Sequence, residues 1–166
     1  MNNDTAALFH TLTLGVYVVG VAHGEQRDAF TAAWIMQVSF EPLLLALSIN
    51  PQHASYPLLR KARTFAVTVL KRGQLDIARH FGTKSGREVD KLASYLWRPG
   101  RSGAPVLQNG LAYFDCEVTA TVKAGDHELV LGRVVDGRIL DPDGAPLVYA
   151  EAGDMDGSSA LYPAAL

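Results

Sequence analysis

Five histidines and one cysteine are the side chains of this 166-residue chain best suited to metal or nucleophile chemistry. The histidines stand at positions 10, 23, 53, 80 and 127, and none lies three or four residues from another or from Cys116. Structural zinc sites usually place ligand pairs at such spacings. No Gly-x-Ser-x-Gly elbow or glycine-rich phosphate loop is present, so Ser39 is a poor hydrolase nucleophile. We therefore expect no metal site, and we expect any chemistry to be carried by a bound cofactor.

The composition is that of an ordinary globular protein. Hydrophobic residues make up 48% and charged residues 19%, which argues against disorder. A net charge of −2, with acids and bases interspersed, gives no electrostatic footprint for nucleic acid. The longest apolar runs, GVYVVGVA and LLLALSI, are far shorter than the roughly 20 residues of a membrane helix. We expect one domain over residues 1–166, with no nucleic-acid or membrane partner.

Hydrophobic periodicity predicts a mainly β chain with short helices. Strands are expected over residues 15–22, 29–33, 43–49, 64–70, 112–122, 129–140 and 146–150. Helical segments are expected at 56–61, 74–81 and 87–95, and an irregular crossing at 100–110. Many hairpin-connected strands without edge protection favour closure, so the predicted fold is a mostly antiparallel β-barrel.

The strand over 112–122 alternates strictly between apolar and polar residues. Cys116 falls on the apolar side, which predicts a buried structural thiol rather than a reactive one. Tyr113, Asp115 and Glu117 fall on the other side, and we expect them to face solvent or an interface. A single cysteine excludes an internal disulfide and permits a reducing compartment. The N-terminal MNNDTAALFHT lacks the pattern of a secretory signal, so we expect a cytoplasmic protein.

Nine short segments, taken in order, resemble the flavin reductase-like family. They are GVYVV (15–19), TAAW (31–34), VSFEP (38–42), FAVTVL (65–70), ARHFG (78–82), GAPVL (103–107), CEV (116–118), GDH (125–127) and GRV (132–134). No single segment is specific, but the ordered series covers the chain from about residue 8 to residue 149. The resemblance implies an FMN-binding split β-barrel.

The resemblance also implies that a flavin lies along residues 31–36. The implied cofactor-binding residues there are Thr31, Ala32, Ala33, Trp34, Ile35 and Met36. Small residues let backbone amides approach the ring, and Thr31 can donate a hydroxyl. Members of the family often have Ser or Asn where Ala33 and Trp34 stand here, so side-chain hydrogen bonds do not carry over to these positions. Trp34 either lines the ring or packs into the barrel wall.

A second flavin-contact region is implied after the next strand. Its candidate residues are Ser48, Asn50, Pro51, His53 and Ser55. Within it, a hydroxyl commonly meets the phosphate, which favours Ser55, with His53 as a phosphate or ribityl partner. Ser55 equally suits the N-cap of the helix that begins at Tyr56. The two roles are compatible, because a helix N-terminus also favours an anion.

Two further regions of the resemblance supply charge and a histidine. The loop implied to close over the flavin contributes the candidates Phe81, Gly82, Lys84 and Arg87. Lys84 or Arg87 can neutralise phosphate, although charges in such loops are often simply solvated. His127 matches the family's histidine near the nicotinamide and is the candidate catalytic residue; the alternative is a solvated turn histidine.

The resemblance implies an NAD(P)H-dependent flavin reductase with FMN as cofactor, FAD as the alternative, and NADH or NADPH as donor. It also implies a homodimer that passes electrons to free flavin, a ferric chelate, an acceptor protein or a monooxygenase. Two other functions stay open. One is an FMN electron carrier without nicotinamide specificity, and the other is a non-catalytic split barrel that binds another planar ligand, such as haem.

Overall fold

Nine strands, three α-helices and two 3₁₀ helices form the fold within residues 4–166, the part of the chain that the computed structural model describes. The strands are β1 (Tyr17–His23), β2 (Gln26–Ala32), β3 (Ile35–Ser39), β4 (Leu44–Ile49), β5 (Thr64–Val69), β6 (Trp97–Pro99), β7 (Pro105–Leu107), β8 (Ala112–Ala124) and β9 (His127–Ile139). The helices are α1 (Asp4–Phe9), α2 (Tyr56–Ala62) and α3 (Leu75–Thr83), with 3₁₀ turns at Tyr149–Ala152 and Ser158–Leu161. No helix in this range is long and apolar enough to span a membrane.

Seven strands form one antiparallel sheet in the order β2-β1-β5-β8-β9-β4-β3. β2 and β3 therefore stand at opposite edges, although only residues 33–34 separate them along the chain. So short a connection spans at most about 10 Å, so the sheet must curl until its two edges come together. The predicted split β-barrel is confirmed, and its opening lies between β2 and β3.

The interior of the barrel is filled by residues from all sides of the curled sheet. The buried residues of this cluster are Val19, Val21, Phe30, Ile35, Leu45, Leu47, Ile49, Leu59, Phe65, Val67, Cys116 and Val130. Cys116 is a free thiol with no exposed surface, as its place in the alternating strand predicted. Outside the barrel, α3 packs on β1 and β2 through a second cluster that includes Val18, Ala29, Ile77 and Phe81.

The turn between β8 and β9 sets the start of the last long strand. Gly125 has φ +63°, a left-handed conformation that side chains other than glycine rarely adopt. The tight reversal pairs Ala124 with His127 at the first rung of the hairpin. His127 is thereby placed beside Trp34, in the connection between β2 and β3, with 5.0 Å between the ring centroids.

The expectation that Tyr113 and Asp115 face solvent or an interface is wrong. Both are buried, with 4% and 0% of their surface exposed, whereas Glu117 is exposed as expected. The segment over 100–107 covers this part of β8, and the Ser102 N–H and hydroxyl both donate to Asp115. Strand alternation could not reveal this, because the covering segment comes from another part of the chain.

Two predicted elements are also wrong. Residues 87–95 form turns rather than a helix, and the Asp90 carboxylate accepts the Leu92 N–H over 3.1 Å. Such local side-chain bonds compete with helical hydrogen bonds. Residues 146–150 make only isolated bridges, Lys71 with Pro146 and Gly15 with Val148, before the chain turns into a 3₁₀ helix.

Candidate functional site

Residues 31–36 border the opening of the barrel, beside the loop that follows β4. The Ser48 N–H donates to the Trp34 carbonyl over 3.0 Å. We call the strip between residues 31–36 and 48–55 the groove, and beside it the His53 ring packs against Phe30 with 4.6 Å between ring centroids. The structure therefore brings together the two segments that the sequence analysis selected, although 11 intervening residues, 37–47, separate them in the chain.

Two alanines and a hydrogen-bonded threonine hydroxyl lie at the end of β2. Ala32 and Ala33 are half-buried, so their backbone stays within reach of a bound molecule. The Thr31 hydroxyl donates to the Ala78 carbonyl of α3 over 2.6 Å. A Cβ added at Gly82 would lie 3.3 Å from the Thr31 Cβ, so α3 packs closely on this position. The Thr31 hydroxyl proton is thus used within the protein rather than offered to a ligand.

The α3 candidates lie in three different settings. Phe81 is 1% exposed in the outer core cluster, so its side chain packs the fold and does not line an open surface. The Lys84 ammonium lies 3.0 Å from His80 Nδ1 on the exposed side of the helix end. Arg87, four residues beyond the end of α3, borders a cavity. Tertiary packing therefore separates residues that the sequence placed in one loop.

The loop after β4 is held by its own hydrogen bonds. Asn50 Oδ1 accepts the Gln52 N–H over 2.9 Å, and Pro51 is exposed between them. His53 Nδ1 accepts the Ser55 N–H over 3.1 Å, which places the imidazole proton on Nε2. Burial and the neighbouring Lys91 lower the pKa of His53, so the neutral ring is favoured. His53 therefore offers a hydrogen-bond donor rather than a positive charge.

A charged cavity of about 410 Å³ lies at the Ser55 end of this groove. Ser55 stands at the N-cap of α2 but makes no side-chain cap bond, and its hydroxyl donates to Asp28 Oδ2 over 2.5 Å. The other oxygen of Asp28 lies 3.4 Å from Lys91 Nζ, whose side chain is only 2% exposed. Burial lowers the pKa of Lys91, and the Asp28 carboxylate acts in the opposite direction. The cavity is also lined by Arg87.

Asp28 and Lys91 were not found by sequence reasoning. Asp28 belongs to the polar stretch between the strands predicted over 15–22 and 29–33, and Lys91 to the segment predicted as a helix. A lysine between charged and apolar residues gives no sign of burial in the sequence. Its 3% exposure arises because residues 87–95 fold back over β2 and α2.

Trp34 and His127 form a ring pair at the other end. Their centroids are 5.0 Å apart at an interplanar angle of 45°, and Trp34 remains 46% exposed. His127 Nδ1 lies 2.8 Å from Asp126 Oδ1, and this hydrogen bond with the imidazole lowers the pKa of Asp126. The carboxylate thus orients the imidazole while Trp34 packs against its ring.

Next to Trp34 lies a second cavity, of about 430 Å³ and mostly apolar. Ile35, Met36 and Ser48 line it, so it shares four of the predicted cofactor-binding residues. Ile35 is buried, whereas Met36 is 64% exposed. Cations therefore line the cavity near Ser55, and aromatic rings line the cavity near Trp34. The charged cavity, at Asp28, and the apolar cavity, at Trp34, are separated by six residues, which span about 20 Å in an extended chain.

The chain resembles known proteins over most of its length. The family model of the flavin reductase like domain matches residues 9–158. The chain is 36% identical over 149 residues to a high molecular weight rubredoxin from Moorella thermoacetica, covering 89% of this chain and 64% of that relative. The chain thus spans just under two thirds of that relative's length.

Two solved structures share the fold. The NADH:FAD oxidoreductase SgcE6 from Streptomyces globisporus C-1027 is 29% identical with a TM-score of 0.81, over 87% of this chain and 86% of that one. An FMN-binding protein from Thermus thermophilus is 34% identical with a TM-score of 0.74, over 79% and 74%. The barrel, the order of its segments and the family match define one class: the chain belongs to the flavin reductase-like family.

Proposed function

We propose that this chain binds FMN along the groove between residues 31–36 and 48–55 and works as an NAD(P)H-dependent oxidoreductase. The observation that supports the proposal is the placement of two features along residues 28–34: the charged cavity lies at the Asp28 end, and the Trp34–His127 pair lies at the Trp34 end. A flavin needs a backbone edge, an apolar surface and an anion-binding end, and these needs match the residues present. The similarity to the Streptomyces NADH:FAD oxidoreductase and to the Thermus FMN-binding protein also supports the proposal. The Moorella relative adds similarity in sequence.

Each part of the groove has a role in this proposal. The half-buried backbone at Ala32 and Ala33 would meet the ring edge, and Trp34 would cover the end of the ring. Arg87 and Lys91 would supply positive charge to the phosphate, with His53 Nε2–H as a neutral donor beside the ribityl chain. Lys91 is oriented by Asp28, which also holds the Ser55 hydroxyl.

The flavin, when bound, would supply the hydride-acceptor chemistry that the protein's own side chains lack, with NADH or NADPH as the donor. The chain's contribution is placement, because ring stacking and orientation supply most of the acceleration in such a transfer. His127, oriented by Asp126, would donate a hydrogen bond to the nicotinamide or the flavin edge. FAD is the alternative cofactor, since the Streptomyces structure is an NADH:FAD oxidoreductase.

A homodimer is part of the proposal. Four large apolar side chains are exposed along β3 and the turn into β4: Met36, Val38, Phe40 and Leu43. Several large exposed apolar side chains close together in one segment are typical of an interaction site.

The electron acceptor is the last part of the proposal. The reduced cofactor would pass its electrons to free flavin, a ferric chelate, an acceptor protein or a monooxygenase.

The visible spectrum of the purified chain, followed by rapid mixing with NADH and with NADPH, tests the proposal. We expect flavin bands that bleach with at least one donor. Flavin bands that neither donor bleaches would contradict the reductase and support an electron carrier. A Soret band would instead support the haem-binding alternative, and a colourless protein that takes up no added flavin would overturn the proposal altogether.

A further inference from the structure

A second charged cavity, of about 420 Å³, lies between α2 and the β8–β9 hairpin, and we call it the hairpin cavity. It shares no lining residue with the groove or with the charged cavity of the proposed flavin site. Three cations line it, Arg60, Arg63 and Lys123, together with one carboxylate, Glu128. Within residues 4–166, none of these three cations forms an ion pair. Positive charge is therefore in excess here, which favours an anion.

Tyr56 holds one of the cations in place. Its hydroxyl donates to Glu128 Oε2 and accepts a hydrogen bond from Arg60 Nη1 over 3.1 Å. The Arg60 guanidinium also lies over the Tyr56 ring, 5.9 Å from its centroid, at the distance of a cation–π contact. Arg60 is thus fixed at the wall of the cavity, while Glu128 bonds a neutral hydroxyl.

Arg63 has an unusual backbone conformation. Its φ of 54° makes it the only residue other than glycine with a positive φ within residues 4–166. It ends α2 in the left-handed region, where glycine is the usual residue because a side chain is strained. Its carbonyl accepts the Val118 N–H over 2.8 Å, and its guanidinium donates to the Val118 carbonyl over 3.4 Å. Strain of this kind clusters at functional sites, which indicates a role for the arginine side chain.

Stabilisation of the helix does not explain the whole cluster. Cations at the end of a helix interact favourably with its dipole, and Arg60 and Arg63 both lie at the end of α2. Lys123, however, lies on β8 and lines the same cavity. Cations from two separate elements therefore converge on one space.

The base of the hairpin cavity is apolar. Leu59 and Val130 line it and are only 2% and 3% exposed, since both belong to the barrel core. Ligand sites commonly combine an apolar lining with a few polar groups that fix the orientation of the ligand. Such a base can accept a flat ring, while the exposed side chains of Arg60 and Arg63 meet a charged group.

We propose that the hairpin cavity binds a phosphate monoester with a flat ring body, the chemistry of a nucleoside monophosphate. Guanidinium groups suit phosphate because their planar fork of N–H donors matches its oxygens, and Lys123 adds a further charge. The volume of about 420 Å³ lies within the usual range of ligand sites. The site goes beyond the proposed function, because its ligand binds whether or not the chain holds flavin.

Calorimetric titration of the purified chain with AMP and with adenosine, which lacks the phosphate, tests the site. We expect AMP to bind about tenfold more tightly or better. In Arg63→Gly this preference should be lost, while the midpoint of urea unfolding should not fall, because a φ of 54° suits glycine. Equal affinities in the parent chain, or a preference that Arg63→Gly retains, would overturn the proposal.

Matched variants locate the site. Arg60 lines the hairpin cavity, whereas Lys61, the next cation of the same helix, does not. Arg60→Gln should weaken AMP about tenfold, and Lys61→Gln should change its affinity less than about twofold. Equal effects of the two variants would show general attraction to a basic surface and would overturn the site. A loss of AMP binding in Arg87→Gln would place the nucleotide in the flavin-phosphate cavity instead, with the same consequence.

Repeating the AMP titration with saturating FMN separates this site from the flavin site. We expect the affinity for AMP to change less than about threefold. Competition between the two molecules would show that FMN occupies the hairpin cavity and would overturn a separate site. A chain that binds no flavin refutes the proposed function, but it leaves the AMP titration and its variants as a full test.

Discussion

The Ser55 hydroxyl donates to the Asp28 carboxylate over 2.5 Å, and the same carboxylate lies 3.4 Å from the buried Lys91 ammonium. One acid thus joins the loop after β4 to the segment that folds over β2. Gly86 packs closely against the Asp28 carboxylate: a Cβ added at this glycine would lie only 2.4 Å from the Asp28 oxygens. The carboxylate is an organising centre of the charged cavity.

Replacing Asp28 by Asn should therefore destabilise the fold. The change leaves the Lys91 ammonium, 2% exposed, without its counter-charge, and breaking such buried pairs costs about 3 kcal/mol or more. Urea unfolding measures the loss. Asp90→Asn is the matched control in the same cavity, because Asp90 pairs with Arg27 at the surface, where such pairs contribute less than about 1 kcal/mol. Similar losses in both variants would refute the special role of Asp28.

Arg87 and Lys84 should differ as phosphate-binding residues. Arg87 lines the charged cavity, whereas Lys84 lies against His80 outside it. Arg87→Gln should weaken FMN about tenfold or more and leave riboflavin, which has no phosphate, unchanged. Lys84→Gln should alter neither. Fluorescence titration with the two flavins gives the four affinities, and equal effects on FMN and riboflavin would contradict a phosphate contact.

His127→Ala should affect hydride transfer more than flavin retention. The imidazole packs on Trp34 and is oriented by Asp126 at the edge of the groove, away from the cations. We expect the rate of flavin bleaching by NADH or NADPH to fall about tenfold, with a much smaller change in FMN affinity. Asp126→Asn keeps the imidazole ring, so its bleaching rate should lie between those of the parent chain and His127→Ala. Unchanged bleaching in His127→Ala would remove this residue from the reaction.

Cys116 should make stability fall in alkaline solution. Burial, helped by the neighbouring Asp115, raises the pKa of the thiol from 9.0 to about 12. Between these values the unfolded chain has lost a proton that the folded chain keeps, so unfolding becomes easier as pH rises above 9. The free energy of unfolding should fall by at most about 1.4 kcal/mol per pH unit in this range. Below pH 9 the thiol is protonated in both states, and its contribution to stability is fully present.

The comparison with Cys116→Ala isolates that contribution from other groups that titrate in the same range. The difference in unfolding free energy between parent and variant should shrink as pH rises from 9 to 11. A native thiol that reacts rapidly with a disulfide reagent at pH 8 would contradict the raised pKa, because the thiolate is the reactive form.

Phe40→Glu should weaken the proposed dimer. Phe40 is 83% exposed beside Val38 and Leu43, and a charge in an apolar interface is strongly unfavourable. Light scattering should give twice the 17.9 kDa chain mass for the parent and the chain mass for the variant. Leu96→Glu, at a residue that is 75% exposed outside this segment, is the control. A monomeric parent chain would refute the dimer.

Local patterns predicted those parts of the fold whose causes are local. The runs that became β1, β4 and β5 are mostly apolar, β1 and β5 are also rich in β-branched residues, and α3 shows helical spacing. The residues 87–95 were misassigned because a side-chain bond within the segment and the burial of Lys91 outweighed helical spacing. Tyr113 was misassigned because burial on the second face of β8 depends on a distant segment.

By itself, the sequence determined the strand pattern, the family and the two segments that border the groove, since each is written in consecutive or regularly spaced residues. Only the tertiary structure decided which side chains act together. The Thr31 hydroxyl bonds to Ala78, Phe81 is buried, Arg87 rather than Lys84 lines the charged cavity, and Asp28 contacts both Ser55 and Lys91. The reason is that burial and pairing depend on distances through space. The curl of the sheet sets these distances, and they cannot be inferred from the order of residues along the chain.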